Sequence, residues 1–86
     1  MARYSIEISR TAEKQLKKLA SDDRRRVVQA ILALGDEPWP QGSRKLTGYD
    51  DVFRIRVGPY RVLYSVEGRR LTIIILKLGH RKDVYR

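Results

Sequence analysis

The spacing of apolar residues in the first part of the chain changes from alternation to a helical repeat. Tyr4–Ile8 alternates between apolar and polar residues and predicts a short strand. In Arg10–Leu19 the apolar positions recur at helical spacing, which predicts a helix capped by Ser9. A second apolar stripe predicts another helix between an N-cap at Ser21 and a stop at Gly35. Because the break between the helices is short, we predict an antiparallel helical hairpin.

The rest of the chain returns to alternation after a loop. Proline and glycine interrupt regular structure through much of Asp36–Asp51. Val52–Val57 and Tyr60–Glu67 alternate, whereas Leu71–Leu78 is a continuous apolar run, typical of a central strand covered on both faces. The order β-α-α-β-β-β predicts an α+β fold, with the helical hairpin packed on a small, mostly antiparallel, four-stranded sheet. We expect a single domain over residues 1–86.

Composition excludes several kinds of chemistry. The chain has no cysteine and one histidine, so disulfide scaffolds, thiol catalysis and Cys/His zinc sites are ruled out. The apolar run Leu71–Leu76 is far shorter than the roughly 18 residues of a membrane span, and the first residues lack the apolar core of a signal peptide. We therefore expect a cytoplasmic protein with no membrane association and no metal or cofactor.

Charge points to a polyanionic partner. The 86 residues carry 19 Lys and Arg against 10 Asp and Glu, a formal net charge of +9. Most of the excess lies in residues 44–86, which hold eleven basic and four acidic residues. A field of this sign attracts a nucleic-acid backbone or an acidic protein surface, and charge alone does not choose between them.

Three arginines are expected on the sheet face that the helices leave open. Arg54 and Arg56 lie two residues apart on one predicted strand, so their side chains point the same way about 6.6 Å apart. Arg61 follows on the next strand after a tight turn and can lie across from them. Guanidinium groups bind phosphate through several parallel hydrogen bonds. The alternative is a solvated sheet face whose arginines serve solubility.

Two further segments carry side chains that could take part in catalysis or RNA binding. The tail after the last strand holds His80, Arg81 and Tyr85, which could lean over a cleft at the strand end. The alternatives are that His80 is a turn residue, that Arg81 forms an ion pair with Asp83, and that Tyr85 packs as a closing aromatic. Trp39 could stack on a base, although a tryptophan between prolines more often anchors its loop to the core.

Three stretches together resemble one family. The first is Arg44–Gly48 (RKLTG), the second Phe53–Tyr64 (FRIRVGPYRVLY) and the third Leu78–Tyr85 (LGHRKDVY). The chain thus resembles the RelE branch of the RelE/ParE toxin superfamily over essentially its whole length. The resemblance implies a toxin of a type II toxin–antitoxin pair with the RelE fold. It also implies mRNA cleavage in the ribosomal A site without a metal, by attack of a ribose 2′-hydroxyl on the adjacent phosphate.

The resemblance also implies partners and site residues. An acidic antitoxin would wrap the toxin with a helical segment, and the complex could oligomerise and bind operator DNA; mRNA and ribosomal RNA would be the other partners. Some family members have lysines where this chain has Arg54 and Arg56, and a guanidinium cannot act as a base. We therefore hypothesise Tyr85 as the base and His80 as a secondary candidate. The implied catalytic residues are Arg54, Arg56, Arg61, His80, Arg81 and Tyr85, and the expected RNA-docking residues are Lys14, Lys17, Lys18, Lys45 and Lys82.

Two other functions stay open at this point. A ParE-like toxin would use the same fold to poison DNA gyrase without catalysis, and such a binder would not need a phosphate-binding arginine cluster. A degenerate family member would bind only its antitoxin or operator DNA.

Overall fold

The computed structural model describes residues 3–80, which form two helices and five strands. The helices and strands follow one another in the order that the sequence predicts, except for one additional short strand. The elements are β1 (Ser5–Ile8), α1 (Arg10–Lys17), α2 (Ser21–Ala33), β2 (Arg44–Lys45), β3 (Val52–Val57), β4 (Tyr60–Glu67) and β5 (Thr72–His80).

One mixed sheet contains all the strands, in the order β1-β5-β4-β3-β2. β1 runs parallel to β5, and the other neighbours are antiparallel. The α+β prediction is confirmed, but the sheet has five strands rather than four. The extra strand is β2, which lies in the predicted loop and pairs Arg44 with Arg54 and Lys45 with Phe53. A two-residue strand has no alternation of its own, so the sequence pattern could not show it.

The helix ends differ slightly from the predicted ones. Ser9 caps α1 as predicted, because its Oγ accepts a hydrogen bond from the Ala12 N–H at 3.1 Å. The N-cap of α2 is Ala20 rather than Ser21, and no side chain caps this end. Gly35 lies just beyond the C-cap of α2, where a Cβ would come within 3.1 Å of the Tyr4 carbonyl oxygen. Close packing rather than an unusual backbone angle therefore favours glycine at this position.

The helices cover one face of the sheet and bury an apolar core against it. Tyr64, the largest fully buried side chain, donates a hydrogen bond from its hydroxyl to the Pro38 carbonyl at 2.7 Å. Trp39 packs edge-on against Tyr4 and Phe53, with ring centroids 6.5 and 6.0 Å away, so it anchors the loop before β2. The buried core comprises Ala12, Leu16, Val27, Ile31, Leu34, Ile55, Val62, Tyr64, Val66, Ile73, Ile75 and Leu78.

A β-bulge in β5 changes which side chains face the core. Leu63 pairs with Lys77 but Tyr64 pairs with Ile75, so Leu76 is the extra residue. Beyond the bulge Leu78 enters the core and Lys77 turns to the opposite face. The prediction that β5 is covered on both faces was therefore wrong, because the helices cover only one. No helix within residues 3–80 has the length and apolar character needed to cross a membrane.

Candidate functional site

The face of the sheet opposite the helices, here called the open face, carries the predicted arginines. Arg56 on β3 and Arg61 on β4 are direct cross-strand partners, so their side chains leave the same face next to each other. Arg54 lies two residues before Arg56 on the same face, opposite Leu63. The register therefore brings together Arg54, Arg56 and Arg61, as the sequence alternation predicts.

Gly79 leaves space beside Arg61. It is the β5 partner of Arg61, and apart from its chain neighbours no atom of residues 3–80 lies within 4 Å of the position that a Cβ would occupy there. Its φ is not in the left-handed region, so the backbone does not require glycine at this position. We call Arg56, Arg61 and Gly79 the first row: two guanidinium groups followed by a position that carries no side chain.

A second row of cations runs parallel to the first. Its cations are Arg44, Arg54 and Lys77, and the apolar Leu63 lies between Arg54 and Lys77; the four residues are cross-strand partners on β2 to β5. Sequence reasoning missed Arg44 and Lys77 as members of this face. Arg44 joins it only through the two-residue strand β2, and Lys77 only through the bulge in β5.

A cavity of about 500 Å³ lies along the outer edge of β3, next to the second row. Its walls include Arg44, Arg54 and Arg56, while Ala30 and Ala33 of α2 supply small apolar surfaces. The cavity thus extends the basic surface from the open face around the edge of the sheet.

His80 does not lie with the arginines. It pairs with Tyr60, whose ring packs against the core on the helix side of the sheet. The two rings meet edge-on with centroids 6.3 Å apart. The Tyr60 hydroxyl donates to Asp23 Oδ2 at 2.8 Å, and this hydrogen bond, together with partial burial, raises the pKa of Tyr60 above its ordinary value of 10.0. A role for His80 at the arginines would require its ring to reach around the end of β5.

The other expected site residues fall in three places. Arg81, Lys82 and Tyr85 lie outside the described residues. Lys45 pairs with Phe53, which places it on the helix side of the sheet rather than on the open face. The exposed lysines of the helical hairpin, Lys14, Lys17 and Lys18, are also on the helix side, and Lys17 lies 3.8 Å from Glu13.

Comparisons with known proteins identify the family. A family model described as the ParE toxin of the type II toxin–antitoxin system parDE matches residues 6–85. Toxin RelG of Mycobacterium tuberculosis is 35% identical over 91 residues, which cover 96% of this chain and 97% of RelG.

Two solved complexes agree with this. A chain of the Pyrococcus horikoshii RelE–RelB complex matches with a TM-score of 0.82 at 35% identity, covering 98% of this chain and all of that one (100%). A chain of the Mycobacterium tuberculosis RelBE2 toxin–antitoxin complex matches with a TM-score of 0.83 at 30% identity, covering 96% and 97%. The chain belongs to the ParE toxin family of type II toxin–antitoxin systems, within the RelE/ParE superfamily.

Proposed function

We propose that this toxin is an endoribonuclease that cleaves mRNA in the ribosomal A site, without a metal, and so stops translation in the cytoplasm. The observation that carries the proposal is the first row: Arg56 and Arg61 are paired side by side, next to the space above Gly79. A toxin that only binds a protein surface has no need of two adjacent guanidinium groups on one sheet face. The names of the RelE and RelG relatives favour the same interpretation.

The chemistry divides between the described arginines and the tail. The ribose 2′-oxygen attacks the adjacent phosphorus, the bond to the 5′-oxygen breaks, and a 2′,3′-cyclic phosphate and a free 5′-hydroxyl result. Arg61 and Arg56 would hold the phosphate and stabilise its additional negative charge in the transition state. In this proposal Tyr85 takes the 2′-hydroxyl proton, and Arg81 stabilises the departing 5′-oxygen, which takes its proton from water. Because a guanidinium stays protonated, Arg54 contributes only as a phosphate contact.

The decisive experiment is primer extension on an mRNA held by programmed ribosomes, compared with the same mRNA alone. We expect cleavage on ribosomes that persists in EDTA. Arg56→Ala and Arg61→Ala should each lower the single-turnover rate by about 10²–10³-fold, the usual loss for one such donor. Arg69→Ala is the matched control, because it removes one exposed positive charge from the β4–β5 turn. Cleavage that is unchanged in both site variants, with intact thermal unfolding, would contradict the proposed role of the first row.

The tail has its own test in the same assay. Tyr85→Phe removes only the hydroxyl, so an unchanged single-turnover rate would exclude Tyr85 as the base. His80→Ala should change the rate little, because His80 pairs with Tyr60 on the other side of the sheet.

We also propose a cognate antitoxin as partner. Structural relatives of this chain occur in complexes with RelB, and a basic open face fits an acidic segment. Co-expression with the neighbouring gene product, followed by purification of a stable complex that blocks cleavage, tests this. Operator binding by that complex can be measured in the same preparation.

The family description favours one second candidate. Because the matching family model is that of the ParE toxin, inhibition of DNA gyrase is the alternative function. Loss of gyrase supercoiling without mRNA cleavage would support it. Absence of both activities, with antitoxin and operator binding retained, would indicate a degenerate member.

A further inference from the structure

The second row contains two cations that the proposed cleavage chemistry does not use. Arg44 comes from β2 and Lys77 from β5, at opposite ends of a line that crosses the sheet through Arg54 and Leu63. Neither residue belongs to the site that the family resemblance implies. Both reach this line through local features, the short strand and the bulge, rather than through regular alternation.

The two rows are spaced to follow a phosphate backbone. They are two residues apart along β3, or roughly 6.6 Å at the usual rise of a strand. This separation is comparable with that of successive phosphates in an extended single strand. A phosphate held between Arg56 and Arg61 would therefore place its neighbour over the second row.

The composition of the rows favours an anionic ligand. Arg44 faces Arg54 directly, and Arg56 faces Arg61 directly, an arrangement of like charges that destabilises a sheet. No position in either row is Asp or Glu. Leu63, only 6% exposed, lies between Arg54 and Lys77. Methylene stems pack along such apolar surface and leave the charged ends in solvent.

We infer that the second row binds the phosphate adjacent to the scissile one in single-stranded RNA, with Arg44 and Lys77 as positioning residues. This inference rests on the proposed function for the identity of the scissile phosphate. The row contacts the backbone and not the bases, so it fixes the register of the RNA without selecting its sequence.

The test measures binding, independently of cleavage. The probe is a short fluorescent RNA with a 2′-deoxy sugar at the reacting position, titrated at low salt and followed by anisotropy. Arg44→Gln and Lys77→Gln should each weaken binding about 5–10-fold and reduce the dependence of log K on log salt by about 0.7, the value for one phosphate contact on a single strand. Lys77→Arg keeps the positive charge and should bind as the wild-type chain does, and Arg69→Gln serves as the charge-matched control.

A neutral linkage locates the contact. One phosphate on either side of the reacting position is replaced in turn with a methylphosphonate. Replacement on one side, and not on the other, should weaken binding by the wild-type chain. The double variant Arg44→Gln/Lys77→Gln should be insensitive to that same replacement. Continued sensitivity of the double variant would overturn the inference, as would losses no larger than that of Arg69→Gln or no binding by the wild-type chain.

Other outcomes separate this inference from the nuclease proposal. If Arg44→Gln and Lys77→Gln weaken binding of the antitoxin but not of RNA, the second row is a protein-binding surface and the inference fails. If the binding results are as expected but programmed ribosomes show no cleavage, the row binds RNA and the nuclease proposal is the one that fails.

Discussion

At the scale of single residues, Gly58 determines how β3 turns into β4. It begins the two-residue turn between Val57 and Tyr60 and has a φ of 59°, a value that suits the first position of a type II′ hairpin turn. Nothing lies within 4 Å of a Cβ built at either Gly58 or Gly68, and only Gly58 has a positive φ. Gly58→Ala should therefore lower the free energy of unfolding by about 1–2 kcal/mol through backbone strain alone.

Denaturant unfolding measures this difference, with Gly68→Ala as the control. The control should leave the unfolding midpoint nearly unchanged, because its backbone angle suits an ordinary residue. If both variants lose the same free energy of unfolding, the loss in Gly58→Ala does not come from backbone strain at a positive φ.

Substitution of Gly79 by valine should lower the cleavage activity without lowering the stability. Gly79→Val adds a β-branched side chain to an unstrained strand position, so stability should stay equal or rise by about 0.5–1 kcal/mol. The same side chain fills the space beside Arg61, so cleavage on programmed ribosomes should fall at least about tenfold. Ser65→Val on the open face of β4 is the control for added apolar surface. Full activity of Gly79→Val would show that the phosphate does not occupy this space.

At the scale of elements, α1 supports the bulge in β5. Ser9 Oγ donates to the Leu76 carbonyl at 2.7 Å, and Gln15 Oε1 accepts from the Leu78 N–H at 2.7 Å. Gln15→Ala leaves the Leu78 N–H without this acceptor and should lower the free energy of unfolding by about 1–3 kcal/mol. Lys14→Ala, on the exposed side of the same helix, should change it by less than about 0.5 kcal/mol.

Chemical denaturation of the two variants tests whether Gln15 stabilises the bulge, and RNA binding tests whether the bulge positions Lys77. If α1 holds the bulge, Gln15→Ala should also weaken RNA binding, because Lys77 reaches the open face through that bulge. Equal stability of Gln15→Ala and Lys14→Ala would contradict this account.

The sequence predicted the elements with strong periodicity and missed those without it. The two helices and the alternation that separates Arg54 and Arg56 from Ile55 come directly from apolar spacing. The strand β2 is too short to have a period, so Arg44 could not be placed beside Arg54. In β5 a run of apolar residues conceals the extra one, and Lys77 changes face at a point that only the register shows.

The site was predictable to the same degree. Alternation places Arg56 and Arg61 correctly because both strands are regular up to their shared turn. His80 was expected near the arginines since it follows the last strand, but its partner Tyr60 faces the core. That no other atom of residues 3–80 lies close to Gly79 could not be inferred from a glycine that the backbone does not require.

At the scale of the whole molecule, we expect two tyrosines to make the free energy of unfolding fall at alkaline pH. The hydrogen bond to Asp23 raises the pKa of Tyr60, and burial raises the pKa of Tyr64 against a smaller opposing effect of Ser43. Because both folded-state pKa values lie above the ordinary 10.0, the fold favours the neutral phenols. Their contribution to stability is complete below about pH 10 and is lost as the pH rises further.

Urea unfolding at pH 9 and at pH 11 measures this loss. Tyr60→Phe cannot ionise, so its stability should decline less between the two pH values than that of the wild-type chain. Tyr49→Phe, at an exposed position, should decline as the wild-type chain does. A Tyr60→Phe decline as steep as the wild-type one would exclude Tyr60 as a source of the alkaline loss.

The pairing of the first strand with the last one affects when the proposed active site is completed during synthesis. Ser9 bonds to Leu76, 67 residues away along the chain, and among the described strands β1 has β5 as its single partner. Contacts between such distant segments form late, because the whole intervening chain must be available before they can close. Both rows also include a β5 residue, so the open face is incomplete until that strand has emerged from the ribosome. If the proposed activity holds, a ribosome making this protein is not exposed to a finished nuclease, and an antitoxin already present can bind the toxin as it folds.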